Sequence, residues 1–518
     1  MPIEPVGVWP AAAPGEPTLW PEDSDLMKIE QLLEHHGIAR NPFADEDAQT
    51  DVVFKEHCIS STHHPGWDKI FGNPADPATS IVFGEKGAGK TAMRLQIVEE
   101  LVRYNRAHPE RRVFIVEYDD FNPYLDRFRD HLSSRRRRSD RMLAEWKLWD
   151  HMDAILALAV TRLDNQVLAA APADAAQAVN PAALDRHQAR DLLLLAACYD
   201  QSLAEPVKHR WHRLRRKLRF RSWRAHRNLA TGVLATLLVA AVIAGTRRWD
   251  WLGTPWPYVI VALTWVPWLA KVLRRWRLAH GVTRQLRVLN HETNSLRQIL
   301  MNFTADELTG QPLPTRERSD DRYELLVKLQ TLLKSLGYAG IVVLVDRVDE
   351  PHLINGSAEQ MKALLWPMLD NKFLKHPGLG FKLLLPIELS YFIERESRDF
   401  YQRARLDKQN LVPSLEWTGE ALYDIANARL KACAAPGRTP TLRDLFDESI
   451  SERRLLEAFR GLRVPRHLFK FMYRLLVAHS NKHTEDHPEW RLSSDTFESE
   501  LAVFQRTQEA FDRGMAAG

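Results

Sequence analysis

Cysteine is scarce in this chain. Its 518 residues include three cysteines, Cys58, Cys198 and Cys433, which lie far apart and form no CxxC pair. A disulfide framework is therefore not expected, and the spacing fits a reducing compartment. The chain also lacks an HExxH motif and a Gly-x-Ser-x-Gly nucleophile elbow. The sequence therefore carries neither the usual motif of zinc proteases nor that of α/β-hydrolases.

Net charge is also small. The chain has 71 Lys and Arg against 67 Asp and Glu, a formal charge of +4. Global charge therefore gives no case for nucleic-acid binding, and only its distribution is informative. The length predicts two or three domains. Residues 1–40 begin with six prolines in 21 positions and are interpreted as a flexible lead, with no cleavable signal peptide.

Two long uncharged stretches lie in the middle of the chain, at residues 229–245 and 252–270. As a helix the first would be about 26 Å long, close to the thickness of a bilayer core. Only residues 246–251 separate the two. The pattern predicts a transmembrane helical hairpin, so that residues 229–270 contact the lipid bilayer. A buried hairpin of a soluble protein is the alternative.

The flanks of the hairpin are basic. Ten Lys and Arg residues lie between positions 208 and 227, and six between 271 and 287. The positive-inside rule places both outer ends in the cytoplasm, in an inner or plasma membrane crossed twice. Both termini and the flanking domain would then be cytoplasmic. A lesser alternative is that the basic flanks bind nucleic-acid phosphates.

A glycine-rich motif follows a short β-prone run at residues 79–83 and precedes a helix-like run at residues 92–104. It fits the pattern GxxxxGK[ST] of a P-loop, which requires this strand–loop–helix context. The motif, here called the glycine loop, consists of Gly84, Glu85, Lys86, Gly87, Ala88, Gly89, Lys90 and Thr91.

The chemistry of the glycine loop points to a nucleoside triphosphate. Glycines let backbone amides turn toward phosphate oxygens, and the following helix presents the positive end of its dipole. Lys90 would reach the β- and γ-phosphates, and the hydroxyl of Thr91 would ligate Mg²⁺. The predicted cofactors are ATP and Mg²⁺.

A second strand should supply an acid for the same metal. The apolar run at residues 341–345 ends at Asp346, which we interpret as the acid that holds Mg²⁺ through water; a strand-end capping acid is the alternative. Many such ATPases have Glu at the next position, where this chain has Arg347. Asp349 and Glu350 are therefore the candidates for activating water, unless they only brace the site.

These features resemble known families. The run VLVDRVDE resembles the second acidic motif of STAND proteins, including NACHT ATPases, and a hairpin inserted between the two nucleotide motifs resembles the KAP family of membrane-anchored P-loop NTPases. Residues 41–43 and 461–467 resemble Orc-like AAA+ and STAND proteins, in whose lids an Arg at a helix start senses the γ-phosphate. The resemblance implies that Arg466 has this role, and that the protein is a switch or scaffold in signalling or defence.

Further apolar runs at residues 112–117 and 381–387 alternate with helical patterns, so the predicted fold class is α/β, a three-layer P-loop NTPase with a parallel sheet. The expected divisions are a lead (1–40), the NTPase domain in two parts (41–206 and 289–413), the hairpin with its flanks (207–288) and a C-terminal helical lid (414–518). A homo-oligomer and an unidentified protein partner are expected. The alternatives are an Orc-like nucleic-acid-linked ATPase and a scaffold that senses nucleotide without hydrolysing it.

Overall fold

The computed structural model describes residues 26–169, 179–202 and 205–512. The chain divides into two compact units, the first formed by Met1–Thr62 with Glu416–Gly518 and the second by His63–Leu415. Residues 26–62 thus belong with the C-terminal part of the chain, whereas the sequence assigned residues 41–62 to the NTPase domain. Of the lead expected at residues 1–40, residues 1–25 lie outside the described residues, and part of the remainder is helical.

The second unit contains a five-stranded parallel sheet with the order β2-β3-β4-β1-β5. This confirms the expected α/β class with a parallel sheet. The fifth strand was not predicted. The strands are β1 Ser80–Gly84, β2 Arg112–Tyr118, β3 Tyr338–Val345, β4 Leu379–Pro386 and β5 Asn410–Val412.

The helices account for most of the remaining described chain. In chain order they are α1 Ile29–His35, α2 Trp67–Phe71, α3 Lys90–Ala107, α4 Asn122–His131, α5 Ser139–Ala144, α6 Leu148–Leu168, α7 Arg186–Tyr199, α8 Val207–Lys217, α9 Arg227–Thr246, α10 Trp256–Gln285, α11 Thr293–Leu300, α12 Ala305–Leu308, α13 Asp320–Ser335, α14 Ala358–Leu365, α15 Asn371–Leu374, α16 Glu388–Glu394, α17 Arg398–Ala404, α18 Gly419–Ala432, α19 Glu452–Leu462, α20 Pro465–Ser480 and α21 Ser494–Asp512.

The central strands are buried on both faces, which explains their continuous apolar sequences. In β3, Val343 and Val345 join the large core that includes α6 and α13. Val342 and Leu344 alternate with them and are equally buried, but they lie outside that cluster. Because successive side chains of a strand point to opposite faces, helices must cover both sides of the sheet. The helix α3, which begins at the glycine loop, contacts β2 and β4.

Two helices, α9 and α10, are long and apolar enough to cross a membrane. Only 11% and 6% of their most apolar windows are buried. They pack on each other: the Trp265 ring lies against Gly232, and its Nε1 donates a hydrogen bond to Oγ1 of Thr236 at 3.1 Å. The hairpin they form stands between β2 and β3 in the chain, as the sequence predicted.

The limits of these helices differ from the predicted spans. The second helix begins at Trp256 rather than at residue 252, because a 3₁₀ turn at Trp249–Gly253 precedes it. It then continues beyond residue 270 to Gln285. Its last part carries charged residues but remains helical, because it packs against α11.

The first unit is helical. Its core joins α1 to α18, α19, α20 and α21 through one cluster of buried apolar side chains. A buried ion pair between Arg429 and Asp51 ties α18 to the N-terminal segment, and the guanidinium also bonds to the carbonyl oxygen of Pro42. This unit contains the C-terminal region that the sequence assigned to a lid.

Candidate functional site

The backbone of the glycine loop turns through left-handed conformations. It leaves β1 at Gly84 and enters α3 at Lys90. Both Gly87 and Gly89 have φ of +90°, a value that costs an L-residue side chain energy and glycine none. Such turns aim successive N–H groups to one side and form the concave backbone that binds anions.

The side chain of Lys90 folds back over this loop. Its Nζ donates hydrogen bonds to the carbonyl oxygens of Gly84, at 2.8 Å, and of Glu85, at 3.1 Å. The ammonium is therefore held at the mouth of the glycine loop by weak neutral acceptors. A phosphate oxygen is a stronger acceptor for it, because charge-assisted hydrogen bonds are about twice as strong as neutral ones.

The first residue after β3, Asp346, meets Thr91 from the glycine loop. The Asp346 side chain is 1% exposed, and the Thr91 hydroxyl lies close enough to its carboxyl group to influence its pKa. Burial raises the pKa of Asp346, while the neighbouring Arg94 guanidinium and the Thr91 hydroxyl oppose the rise. A hydroxyl and a carboxylate are the ligand types that Mg²⁺ prefers, so the two residues predicted for the metal are brought together.

Arg94 is part of this arrangement, and the sequence reasoning missed it. Its side chain, 5% exposed, lies one helical turn after Lys90 on α3. Nη1 of Arg94 is 3.0 Å from Oε2 of Glu117 and 2.5 Å from Oδ2 of Asp119, both at the end of β2, and Nε is 3.4 Å from Oδ2 of Asp346. The i+4 spacing from Lys90 and the acids after a predicted strand were the available signals.

The turn after Asp346 carries the candidates for activating water. Arg347 has φ of +60°, which is uncommon for a residue with a long side chain. Its Nη2 lies 2.7 Å from Oε2 of Glu350, and this hydrogen bond is the main reason why the pKa of Arg347 is raised. Glu350 is thus paired with Arg347, while Asp349 is half-buried.

Arg466 lies elsewhere in the molecule. It is the second residue of α20, directly after Pro465, in the first compact unit, and it is half-buried. The predicted position at a helix start is therefore correct. The glycine loop, Asp346 and Glu350 all belong to the second unit.

The donor set fits a magnesium–nucleotide complex better than a metal held by protein alone. Among the described residues no group of three or more His, Cys, Asp and Glu is placed to hold a metal ion. Thr91 and Asp346 supply two oxygen ligands, which suits Mg²⁺ because it keeps several waters and takes further oxygens from phosphates.

No protein-family model matches the chain, no curated protein matches it, and no solved structure matches it at a significant level.

Proposed function

We propose that the chain is a membrane-anchored P-loop NTPase that binds ATP with Mg²⁺, hydrolyses it, and acts as a nucleotide-dependent switch or scaffold of the KAP/STAND type. One observation carries the proposal. The hydroxyl of Thr91 lies beside the buried carboxyl of Asp346 at the carboxyl ends of the strands. They lie beside a loop whose two left-handed glycines suit phosphate binding.

In this proposal the backbone and two side chains of the glycine loop have different roles. The backbone amides and the N-terminus of α3 hold the phosphates, while Lys90 exchanges its carbonyl acceptors for β- and γ-phosphate oxygens. The Thr91 hydroxyl and the Asp346 carboxylate would hold Mg²⁺, the first directly and the second through water, and the metal would supply positive charge beside the phosphates.

Hydrolysis requires a positioned water that attacks the γ-phosphorus as the bond to the β–γ bridging oxygen breaks. Asp349 or Glu350 would accept the proton, leaving ADP and inorganic phosphate. The resemblance to Orc-like AAA+ and STAND proteins implies that Arg466 senses the γ-phosphate and that the C-terminal helices act as a lid. Closing and loosening of that lid would change oligomerisation or the binding of a protein partner.

A second candidate is a membrane scaffold that binds ATP without hydrolysing it. The ion pair between Arg347 and Glu350 favours it, because the guanidinium occupies a carboxylate oxygen that would otherwise face the attacking water. The two candidates share the same nucleotide site and differ only in turnover.

Membrane anchoring rests on the exposed surface of the hairpin. Large apolar side chains on α9 and α10 face outward, among them Leu234 at 68% exposure and Leu263 at 65%. A contiguous apolar surface of this kind is rare on soluble monomers. Insertion through residues 229–270 would bury it in lipid, with both ends of the chain in the cytoplasm.

The test is ATP binding and phosphate release by the full chain in detergent. We expect Lys90→Ala and Thr91→Ala to lower ATP affinity, the second only when Mg²⁺ is present. Loss of phosphate release in Glu350→Gln with binding retained supports the hydrolase. Tight ATP binding without any phosphate release favours the scaffold, and wild-type protein that binds no nucleotide overturns both.

A further inference from the structure

The basic residues that flank the hairpin fall into two groups, which the sequence alone does not separate. The residues of one group form ion pairs and hydrogen bonds with other parts of the protein. Arg210 pairs with Asp200 at 2.6 Å, and Arg215 donates to Oδ1 of Asn302 at 2.9 Å. Arg275 on α10 donates to the carbonyl oxygen of Thr304 at 3.0 Å. The first contact ties α8 to the residue that follows α7, and the other two tie α8 and α10 to the segment that follows α11, so the base of the hairpin is fixed to the second unit.

The other group faces outward between α8 and α9. We call it the basic collar, and all its members are exposed: Arg216, Lys217, Arg219, Arg221, Arg224 and Arg227. Within the described part of the chain no carboxylate lies within ion-pair distance of any of the six. Six cations within twelve residues repel one another, so their side chains need an external anion to lower that energy.

The position of the collar beside the hairpin indicates which anion. Trp223 lies within the collar and is 70% exposed, and Trp276 on α10 is 44% exposed. Beyond them the exposed surface of α9 is apolar. Cations, exposed tryptophans and an apolar helix therefore follow one another in the order of headgroup, interface and acyl chain in a bilayer.

We infer that the basic collar binds anionic phospholipid headgroups. The inference rests on the proposed insertion of the hairpin and adds a lipid preference to it. Because the base of the hairpin is fixed by Arg210, Arg215 and Arg275, insertion brings the collar to the headgroup layer without a flexible linker. Each cation near an anionic surface strengthens the attraction roughly fivefold, so selectivity over neutral lipid accumulates along the collar.

The experiment compares phosphatidylglycerol with phosphatidylcholine, supplied in equal amounts to the full chain in detergent, with the retained lipids counted by native mass spectrometry. We expect wild type to retain at least about tenfold more phosphatidylglycerol. Arg216→Gln, Arg219→Gln, Arg221→Gln and Arg224→Gln combined should bring the ratio close to one. The matched control removes four exposed cations of the first unit, through Lys431→Gln, Arg453→Gln, Arg460→Gln and Arg506→Gln, and should keep the wild-type ratio.

Equal retention of both lipids by wild type, or the same ratio in the collar variant as in wild type, would overturn the inference. So would a collar variant that loses binding of a DNA or RNA oligonucleotide but keeps its lipid ratio. Carbonate extraction of membranes containing the protein separates this inference from the proposed anchoring. Release into the soluble fraction overturns the anchoring itself, whereas retention without lipid preference overturns only the collar.

Discussion

Nε of Arg94 lies 3.4 Å from Oδ2 of Asp346, and both side chains are almost completely buried. Neither atom has a hydrogen-bond partner in the described part of the chain, so the pair is held by charge and packing. Through it, the helix that begins at the glycine loop is tied to the end of β3. The same guanidinium also serves Glu117 and Asp119 at the end of β2.

Replacing Arg94 should therefore destabilise the second unit strongly. Arg94→Ala removes the guanidinium that Glu117, Asp119 and the fully buried Asp346 share, and breaking a buried pair in this way costs about 3–5 kcal/mol. The loss should shrink at acidic pH, because burial raises the pKa of Asp346 and its protonated carboxyl needs no counter-charge. Urea unfolding in detergent, followed by tryptophan fluorescence, measures both effects. Arg103→Ala, an exposed pair on the same helix, should change stability by no more than about 0.5 kcal/mol; equal losses in both variants would contradict the assignment.

The local sequence pattern was sufficient to predict the parallel sheet and the order in which the glycine loop and Asp346 follow its strands. The runs at residues 81–83 and 341–345 are apolar over every residue because both faces of a central strand are covered, and such runs are visible in the sequence. The glycines of the loop likewise allow the positive φ values that Gly87 and Gly89 adopt. These signals are local, and the structure contains the elements they predict.

The remainder depends on contacts between distant segments. β5 has three residues, too few for any period, and it forms because β1 offers an open edge beside it. The i+4 spacing from Lys90 is a local signal for Arg94, but only the folded sheet brings the acids at the ends of β2 and β3 to it. The union of residues 26–62 with the C-terminal helices depends on buried pairs such as Arg429 with Asp51, which local patterns do not reveal.

The left-handed glycines of the loop give a second prediction. Gly89→Ala places a side chain at φ of +90°, which costs about 1–2 kcal/mol or forces the backbone to turn its amides away. We expect ATP affinity to fall at least about tenfold, the equivalent of 1.4 kcal/mol. Titration with a fluorescent ATP analogue measures it. Gly245→Ala is the control, because nothing lies within 4 Å of the added methyl group and its φ is not positive; an unchanged affinity in Gly89→Ala would show that the loop tolerates the strain.

A buried histidine predicts how stability depends on pH. Nε2 of His151 donates to the carbonyl oxygen of Leu364 at 2.8 Å, so Nδ1 accepts from the Tyr118 hydroxyl at 3.1 Å and the ring is neutral. Burial lowers the pKa of His151 from 6.5 to about 4. Between these values the unfolded chain binds a proton that the folded chain does not, so stability falls as pH decreases from 6.5 toward 4, by up to about 3 kcal/mol.

His151→Gln should therefore make the fall in stability between pH 6.5 and 4 less steep, while lowering stability at neutral pH. The amide retains a donor and an acceptor but does not titrate. Thermal unfolding between pH 4 and 7 measures the slope, and His131→Gln, at an exposed position, should leave it unchanged. A fall in stability as steep in His151→Gln as in wild type would assign the effect to other groups.

The native thiols of the described chain are poorly reactive. Cys58, Cys198 and Cys433 are all buried, and burial raises the pKa of Cys198 to about 12 and that of Cys433 to about 11. The thiolate is the species that reacts with maleimides, so these residues contribute little labelling in the folded protein. Cysteines introduced by mutation can therefore be labelled to show which side of the membrane they occupy, and the native cysteines need not be removed first.

Labelling of the hairpin turn tests the predicted topology directly. Asp250 lies in the exposed turn between α9 and α10, and Ser449 is exposed in the first unit. In intact cells a membrane-impermeant maleimide should label Asp250→Cys and not Ser449→Cys. The basic flanks favour a cytoplasmic position for the segments before α9 and after α10, and only the turn between the two helices would then face outward. After the cells are lysed both variants should react. Labelling of Ser449→Cys in intact cells would reverse the orientation, and failure of Asp250→Cys to label until lysis would mean that the hairpin does not expose its turn across the membrane.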